Sequence, residues 1–206
     1  LDLSDLGSVT KVETHFNKLN SIVLPSPSSL EYLDVWGNNL TELNLIGQDS
    51  LTRLIADDNK LKSLIISGTR VLNEGAAGVS MNNLPFTELI KLTDAVILRI
   101  DPMHEVFDSV ISMQDVTIDY SSQAMIEGMA TTFNWYKNDV YQSTNTTGIF
   151  TTTGNGVYFC RMENGHFPEF TLTSAPTIIG NENSPICNII VPATSPLPGL
   201  STSYSH

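Results

Sequence analysis

The sequence predicts a mainly β chain in two units: a solenoid of short stacked coils, then a β-sandwich. Three observations predict this. Aliphatic residues recur at a fixed interval through the first third of the chain. Asparagines recur in step with them. From Val116 onward, short β-type runs alternate with clusters of turn residues.

The interval comes first. Leu1, Val12, Ile22, Leu33, Leu43, Leu54 and Leu64 are separated by alternating steps of 11 and 10, a full period of 21 residues. Two positions after each stand Leu3, Thr14, Leu24, Val35, Leu45, Ala56 and Ile66. Such an alternating pair suits a short strand with one buried face. Asn17, Asn38 and Asn59 keep the same period, and Leu19, Leu40 and Leu61 follow them two residues on. The segments VTKVETHFNKL, LEYLDVWGNNL and LTRLIADDNKL match the leucine-rich-repeat pattern LxxLxLxxNxL. In such a coil the leucines pack beneath the strand and the asparagine turns inward. Its amide there satisfies backbone groups of the neighbouring coil, so the asparagines form a ladder. AGVSMNNL extends the series with Asn82 and Leu84 after a two-residue insertion.

The half-repeats NSIVL, TELNL and KSLII lack the asparagine and are expected to form the opposite, extended wall. After Leu72 the pattern loosens, and the repeats are expected to end near Leu92. LPFTELIKL and AVILRI then complete the solenoid as a terminal half-repeat and a strand, and HEVFDSVISM extends the edge of the sandwich. Terminal coils need a cover, which the second unit can supply. The expected bounds are 1–110 for the solenoid, 111–180 for the sandwich and 181–206 for a Pro/Ser/Thr-rich tail or linker.

In the second unit the runs VTIDY, AMIEG, TTFNWYK, VYQ, GIFTT, GVYFC and EFTLT are separated by breaks such as KND, STNTTG, TGNG and ENG. Trp135 stands where an immunoglobulin-like sandwich places its core tryptophan, and Tyr158 precedes Cys160 by two residues, as a tyrosine corner does. Trp135, Tyr158 and Cys160 are therefore expected in the core. Met125 and Ile126 take the expected strand-B region, without the usual cysteine. Cys160 is either a buried free thiol or the partner of Cys187, the other cysteine of the chain.

Composition narrows the function. The net charge of -12 and the pI near 4.5 oppose nucleic acid and anionic membrane surfaces as partners. No apolar run approaches the roughly 20 residues of a transmembrane helix. Two cysteines are too few for a disulfide framework, and their spacing fits no zinc motif. The opening LDLSDL already reads as part of a repeat, so the chain is expected to be a mature or truncated piece whose signal peptide has been removed. GxSxG, HExxH, P-loop and post-strand GxGxxG motifs are missing, and His15, His104, His166 and His206 have no helically spaced partners. No catalytic residue, metal or cofactor is expected, and Asp57-Asp58 reads as a solvated acidic loop.

The residues between the buried leucines define an outward surface. In register, its rows are Lys11, Tyr32 and Arg53; then Glu13, Asp34 and Ile55; then His15, Trp36, Asp57 and Ser80. The opposite wall, with Ser21, Glu42 and Ser63, is blander. Aromatic and arginine side chains dominate binding hot spots. Trp36, Tyr32, Arg53, Asp57, Asp34 and His15 are therefore the candidate ligand contacts. The alternative is that Trp36 lies under a loop or against the second unit.

The 21-residue repeat resembles the leucine-rich repeats of secreted Bacteroidetes proteins. NNLPFTEL resembles their terminal repeat, and the run from FNWYK through GIFTTTGNGVYFCRMENGHFPEFTLTSAPTIIG resembles the attached Ig-like domain. Listerial internalins share this layout of repeats backed by an Ig-like domain. The resemblance extends to Gly180; this chain departs from it in having few repeats and no visible N-terminal cap. It implies an extracellular or bacterial cell-surface location and a role in adhesion or host interaction. The expected partner is an unidentified protein or glycan, with an anchoring domain downstream. A carbohydrate-binding accessory protein and a structural spacer are the competing functions.

Overall fold

The computed structural model describes residues 1–67, 75–95 and 97–180. The protein is mainly β, with a solenoid-like arrangement in its first half. Seven three-residue strands follow one another there among the described residues: β1 (Lys11–Glu13), β2 (Tyr32–Asp34), β3 (Glu42–Asn44), β4 (Arg53–Ile55), β5 (Ser63–Ile65), β6 (Ala76–Gly78) and β7 (Ile97–Arg99). They form two parallel sheets, ordered β1-β2-β4-β6-β7 and β3-β5. Each coil contributes one strand to the larger sheet. The register sets Val12 against Leu33, Leu33 against Leu54 and Leu54 against Ala77, and all four are buried. The second aliphatic of each coil closes the interior: Val35, Leu45, Ala56 and Val79 are fully buried. The larger sheet continues past Leu92 to β7, which lies in the AVILRI run.

Polar groups inside the coils are satisfied by asparagine. Asn38 Oδ1 accepts the Leu19 N–H, Asn59 Oδ1 that of Leu40, and Asn82 Oδ1 that of Leu61, at 2.9–3.0 Å. Each side-chain amide donates to three carbonyls, one of them in the preceding coil: Thr14 for Asn38, Val35 for Asn59 and Ala56 for Asn82. Asn17 departs from the expected ladder. It is exposed and donates only to Thr14 and His15 of its own coil.

A left-handed residue precedes each of these asparagines: Phe16, Gly37, Asp58 and Met81, with φ between 52° and 65°. This local reversal turns the chain so that the next side chain faces inward. One of the four is glycine. A Cβ on Gly37 would lie 2.8 Å from Phe16 Cδ1, so its absence also makes room for the Phe16 ring.

Helix α1 (Phe86–Leu89) ends the apolar interior of the solenoid, and Phe86 and Leu89 are fully buried. Just beyond and within it, Lys91 donates to the Leu64 carbonyl and Glu88 accepts the Leu64 N–H. These contacts occupy the outer edge of β5, which would otherwise offer free strand-pairing groups.

The second half contains β8 (Val110–Ser112), β9 (Thr117–Asp119), β10 (Met125–Ile126), β11 (Met129–Lys137), β12 (Val140–Asn145), β13 (Ile149–Thr151), β14 (Gly156–Asn164), β15 (Thr171–Thr173) and β16 (Thr177–Ile179). A seven-stranded sheet runs β10-β11-β14-β16-β8, with β12 also on β11 and β15 also on β14. Its β8–β16 pairing is parallel. Strands β9 and β13 form a separate antiparallel pair. Between the two sheets lie Trp135, stacked on Phe150 at 5.0 Å and on Tyr120 at 5.7 Å, and the buried Ile118. The expected boundary at 110/111 falls inside β8. The β-bridge between Val106 and Ser174 ties even earlier residues to the second half.

Met125 and Ile126 do not take the place expected of them. They form a tight hairpin with Met129 and Ala130, in the same sheet as Trp135. The strand opposite is β9, three residues too short for its alternation to stand out in the sequence. Cys160 is buried and has no disulfide partner among the described residues, and burial pushes its thiol pKa far up. Cys187 lies outside the described residues. The Tyr158 hydroxyl accepts the Thr153 N–H at 3.0 Å and lies 2.7 and 2.8 Å from the carbonyls of Thr153 and Gly154.

One continuous apolar core joins the halves. Phe86 of α1 stacks on Phe167 at 5.4 Å, and the Gln123 side-chain amide exchanges two hydrogen bonds with Thr87. The second half therefore covers the last coil.

Candidate functional site

The larger sheet of the solenoid presents one outward face. Strand register aligns Lys11, Tyr32, Arg53, Ala76 and Ile97 in one row and Glu13, Asp34, Ile55, Gly78 and Arg99 in the next. Backbone bonds extend the alignment beyond the strands. Phe16 N–H donates to Trp36 O, Gly37 N–H to Asp57 O and Asp58 N–H to Ser80 O. A third row of His15, Trp36, Asp57 and Ser80 results.

Aromatic residues gather over the first two coils. Trp36 is 39% exposed and its ring lies 4.4 Å from that of Phe16, which is itself open to solvent. Among the described residues, neither a loop nor the second half covers Trp36. Tyr32 sits between two cations, Lys11 Nζ at 4.9 Å and Arg53 Cζ at 5.6 Å from its ring. Lys11 also pairs with Glu13 at 3.0 Å, and that hydrogen bond raises its pKa above the ordinary lysine value.

The carboxylates behave differently from the expected open contacts. Asp34 and Asp57 are 7% and 5% exposed. Asp34 accepts the Trp36 N–H at 3.1 Å and lies 3.4 Å from His15 Nδ1. Asp57 accepts both the N–H and the hydroxyl of Ser80 and pairs with Arg99. It is not part of a solvated acidic loop. Both carboxylates are buried by long-range partners, and they brace the surface rather than face a ligand directly.

Arg99 and Met81 belong to the site and were not among the sequence candidates. With Asp34, Trp36, Ile55, Asp57 and Ser80 they line a shallow depression of about 480 Å³. Arg99 follows Gly78 at the same 21-residue step that relates the earlier coils, and that step was the signal available for finding it. The insertion between the third and fourth coils hides the register. Arg99 crosses Gly78 to reach Asp57, because a Cβ on Gly78 would stand 2.5 Å from Asp57 Oδ2 and 2.6 Å from an Arg99 guanidinium nitrogen.

Gly78→Ala is therefore expected to break the ion pair and leave a buried carboxylate short of a partner. The expected cost is about 1–3 kcal/mol in urea denaturation. In an Arg99→Ala background the same change should cost less, because the ion pair and the clash with the guanidinium are already gone and only the contact with Asp57 Oδ2 remains. Additive losses would show that Gly78 serves another purpose.

No family model, curated protein or solved structure matches this chain.

Among the described residues, no group of three or more His, Cys, Asp and Glu side chains is placed to hold a metal ion. The carboxylates in the depression are saturated by internal partners. What the surface offers outward is aromatic area, the remaining guanidinium donors of Arg99 and the cation-flanked Tyr32.

Proposed function

We propose that this chain is a non-enzymatic recognition module of an extracellular or bacterial cell-surface protein, a short leucine-rich-repeat solenoid backed by an Ig-like domain. Its ladder face adheres to a protein partner. The observation that carries this reading is the exposed Trp36, braced by Phe16 above carboxylates already paired within the protein. An aromatic side chain on a surface ordered in advance contributes contact area at little entropic cost.

Two further features support the architecture in this reading. The parallel coils and the asparagines bridging them fit a leucine-rich repeat. In the second half, the order β8-β16-β14-β11-β12 opposite β9-β13 fits an Ig-like sandwich. The buried Trp135 and the Tyr158 hydroxyl bonded a few residues upstream fit it too.

The test is adhesion of beads coated with the chain to cultured epithelial cells. Wild-type beads should bind, and protease treatment of the cells should remove binding. Trp36→Ala should reduce binding at least about tenfold, equivalent to about 1.4 kcal/mol or more, while changing stability by no more than about 0.5 kcal/mol. Trp36→Ala beads that adhere as wild type does would overturn the proposal. A second reading, glycan recognition, is favoured by the open Trp36 beside the polar groups of the depression. Loss of adhesion on glycosidase but not protease treatment would select it.

A further inference from the structure

The outer face of the seven-stranded sheet carries a second cluster, independent of the ladder face. Side chains along β11 and β14 alternate between core and surface. Trp135, Tyr158 and Cys160 are buried, while Asn134, Tyr136, Phe159 and Arg161 alternate with them. Tyr136 and Phe159 are cross-strand partners and stack at 5.0 Å. Tyr141 of β12 meets Tyr136 edge-on at 6.0 Å and is exposed. Arg161 lies over both stacked rings, 5.1 Å from Tyr136 and 5.8 Å from Phe159. Asn134 Oδ1 accepts the Thr144 hydroxyl at 2.7 Å, and Thr144 Oγ1 is 2.9 Å from the Tyr141 hydroxyl. These bonds order the cluster, while the Asn134 NH2 has no partner among the described residues.

Acidic residues outnumber basic ones 22 to 10 in this chain. Lys11, Lys62, Lys91 and Arg99 each hold a carboxylate. Arg161 is exposed, holds none among the described residues and stacks on aromatic rings instead. The rings fix the guanidinium plane while its fork of donors stays available, and the group that complements such a fork is a carboxylate. The stacked rings, Asn134 and Arg161 lie on the face of the sheet, off the free backbone edge of β12 along which an extended peptide would pair. An exposed ring beside amide and hydroxyl groups suits a pyranose. Its C–H face would lie on Tyr141, its hydroxyls against Asn134 and Thr144, and its carboxylate on Arg161.

We propose that Arg161, Tyr141 and Asn134 form a binding site for a carboxylate-bearing sugar. Calorimetric titration of the full chain tests this, with tetragalacturonate and 3′-sialyllactose as two sources of the same chemistry and maltotetraose and lactose as neutral controls. At least one acidic sugar should bind and neither neutral one should. Arg161→Gln and Tyr141→Ala should each weaken binding about tenfold or more, with unchanged circular dichroism. Trp36→Ala should leave it as in wild type. The proposal is overturned if neither acidic sugar binds, if a neutral sugar binds equally well, or if Arg161→Gln binds as wild type does. Loss of binding in Trp36→Ala alone would place the sugar on the ladder face and also overturn it.

Discussion

Asn59→Ala is expected to destabilise the protein by about 3–5 kcal/mol. Asn59 is buried and serves four backbone groups, accepting from Leu40 N–H and donating to the carbonyls of Val35, Ala56 and Asp57. Alanine leaves the buried Leu40 N–H unpaired, at about 1–3 kcal/mol, and takes one donor each from the carbonyls of Val35, Ala56 and Asp57, which keep Asn38, Asn82 and Gly37, at about 0.5–1.5 kcal/mol per lost bond. Asn17→Ala supplies the contrast. Asn17 is exposed and bonds only within its own coil, so water replaces its amide and the expected cost is below about 1 kcal/mol. Urea denaturation of the two variants measures the difference. Equal losses would mean that the inward asparagines do not hold the coils together.

Phe86→Ala should cost about 3–5 kcal/mol, the range for deleting a fully buried phenylalanine. Its position makes the mode of unfolding informative as well. Phe86 stacks on Phe167 and meets Phe170 edge-on at 6.4 Å, so one ring joins the last coil to the second half. Scanning calorimetry should show one transition for wild type and two for Phe86→Ala, the solenoid melting first because its end is no longer covered. A single transition at the wild-type temperature would rule out this ring as the coupling between the halves.

The coil register was legible because parallel stacking makes spatial neighbours of residues 21 apart, so burial repeats directly in the sequence. The third row, from His15 through Trp36 to Asp57 and Ser80, could be read for the same reason. The state of each side chain in that row could not. Asp57 is spaced like a surface residue, yet Arg99, 42 positions later, and Ser80 take it out of solvent. Asp34 is likewise drawn in by His15. Such pairs depend on side-chain reach across coils, which periodicity does not encode. In the second half, Trp135 and Tyr158 were found from local spacing: Trp135 stands in the strand-like run FNWYK, and Tyr158 precedes Cys160 by two residues, as a tyrosine corner does. Met125 and Ile126 were misplaced because a two-residue strand carries no period. The Glu127-Gly128 turn, both residues left-handed, folds them back on Met129.

Hydrogen exchange of the asparagine side-chain amides, followed by NMR in the intact chain, measures whether the coils are stacked through these groups. Slow exchange at Asn38, Asn59 and Asn82, with fast exchange at Asn17, is the predicted result. Fast exchange at all four would contradict a solenoid held from within and, with it, a rigid face presenting Trp36 for contact.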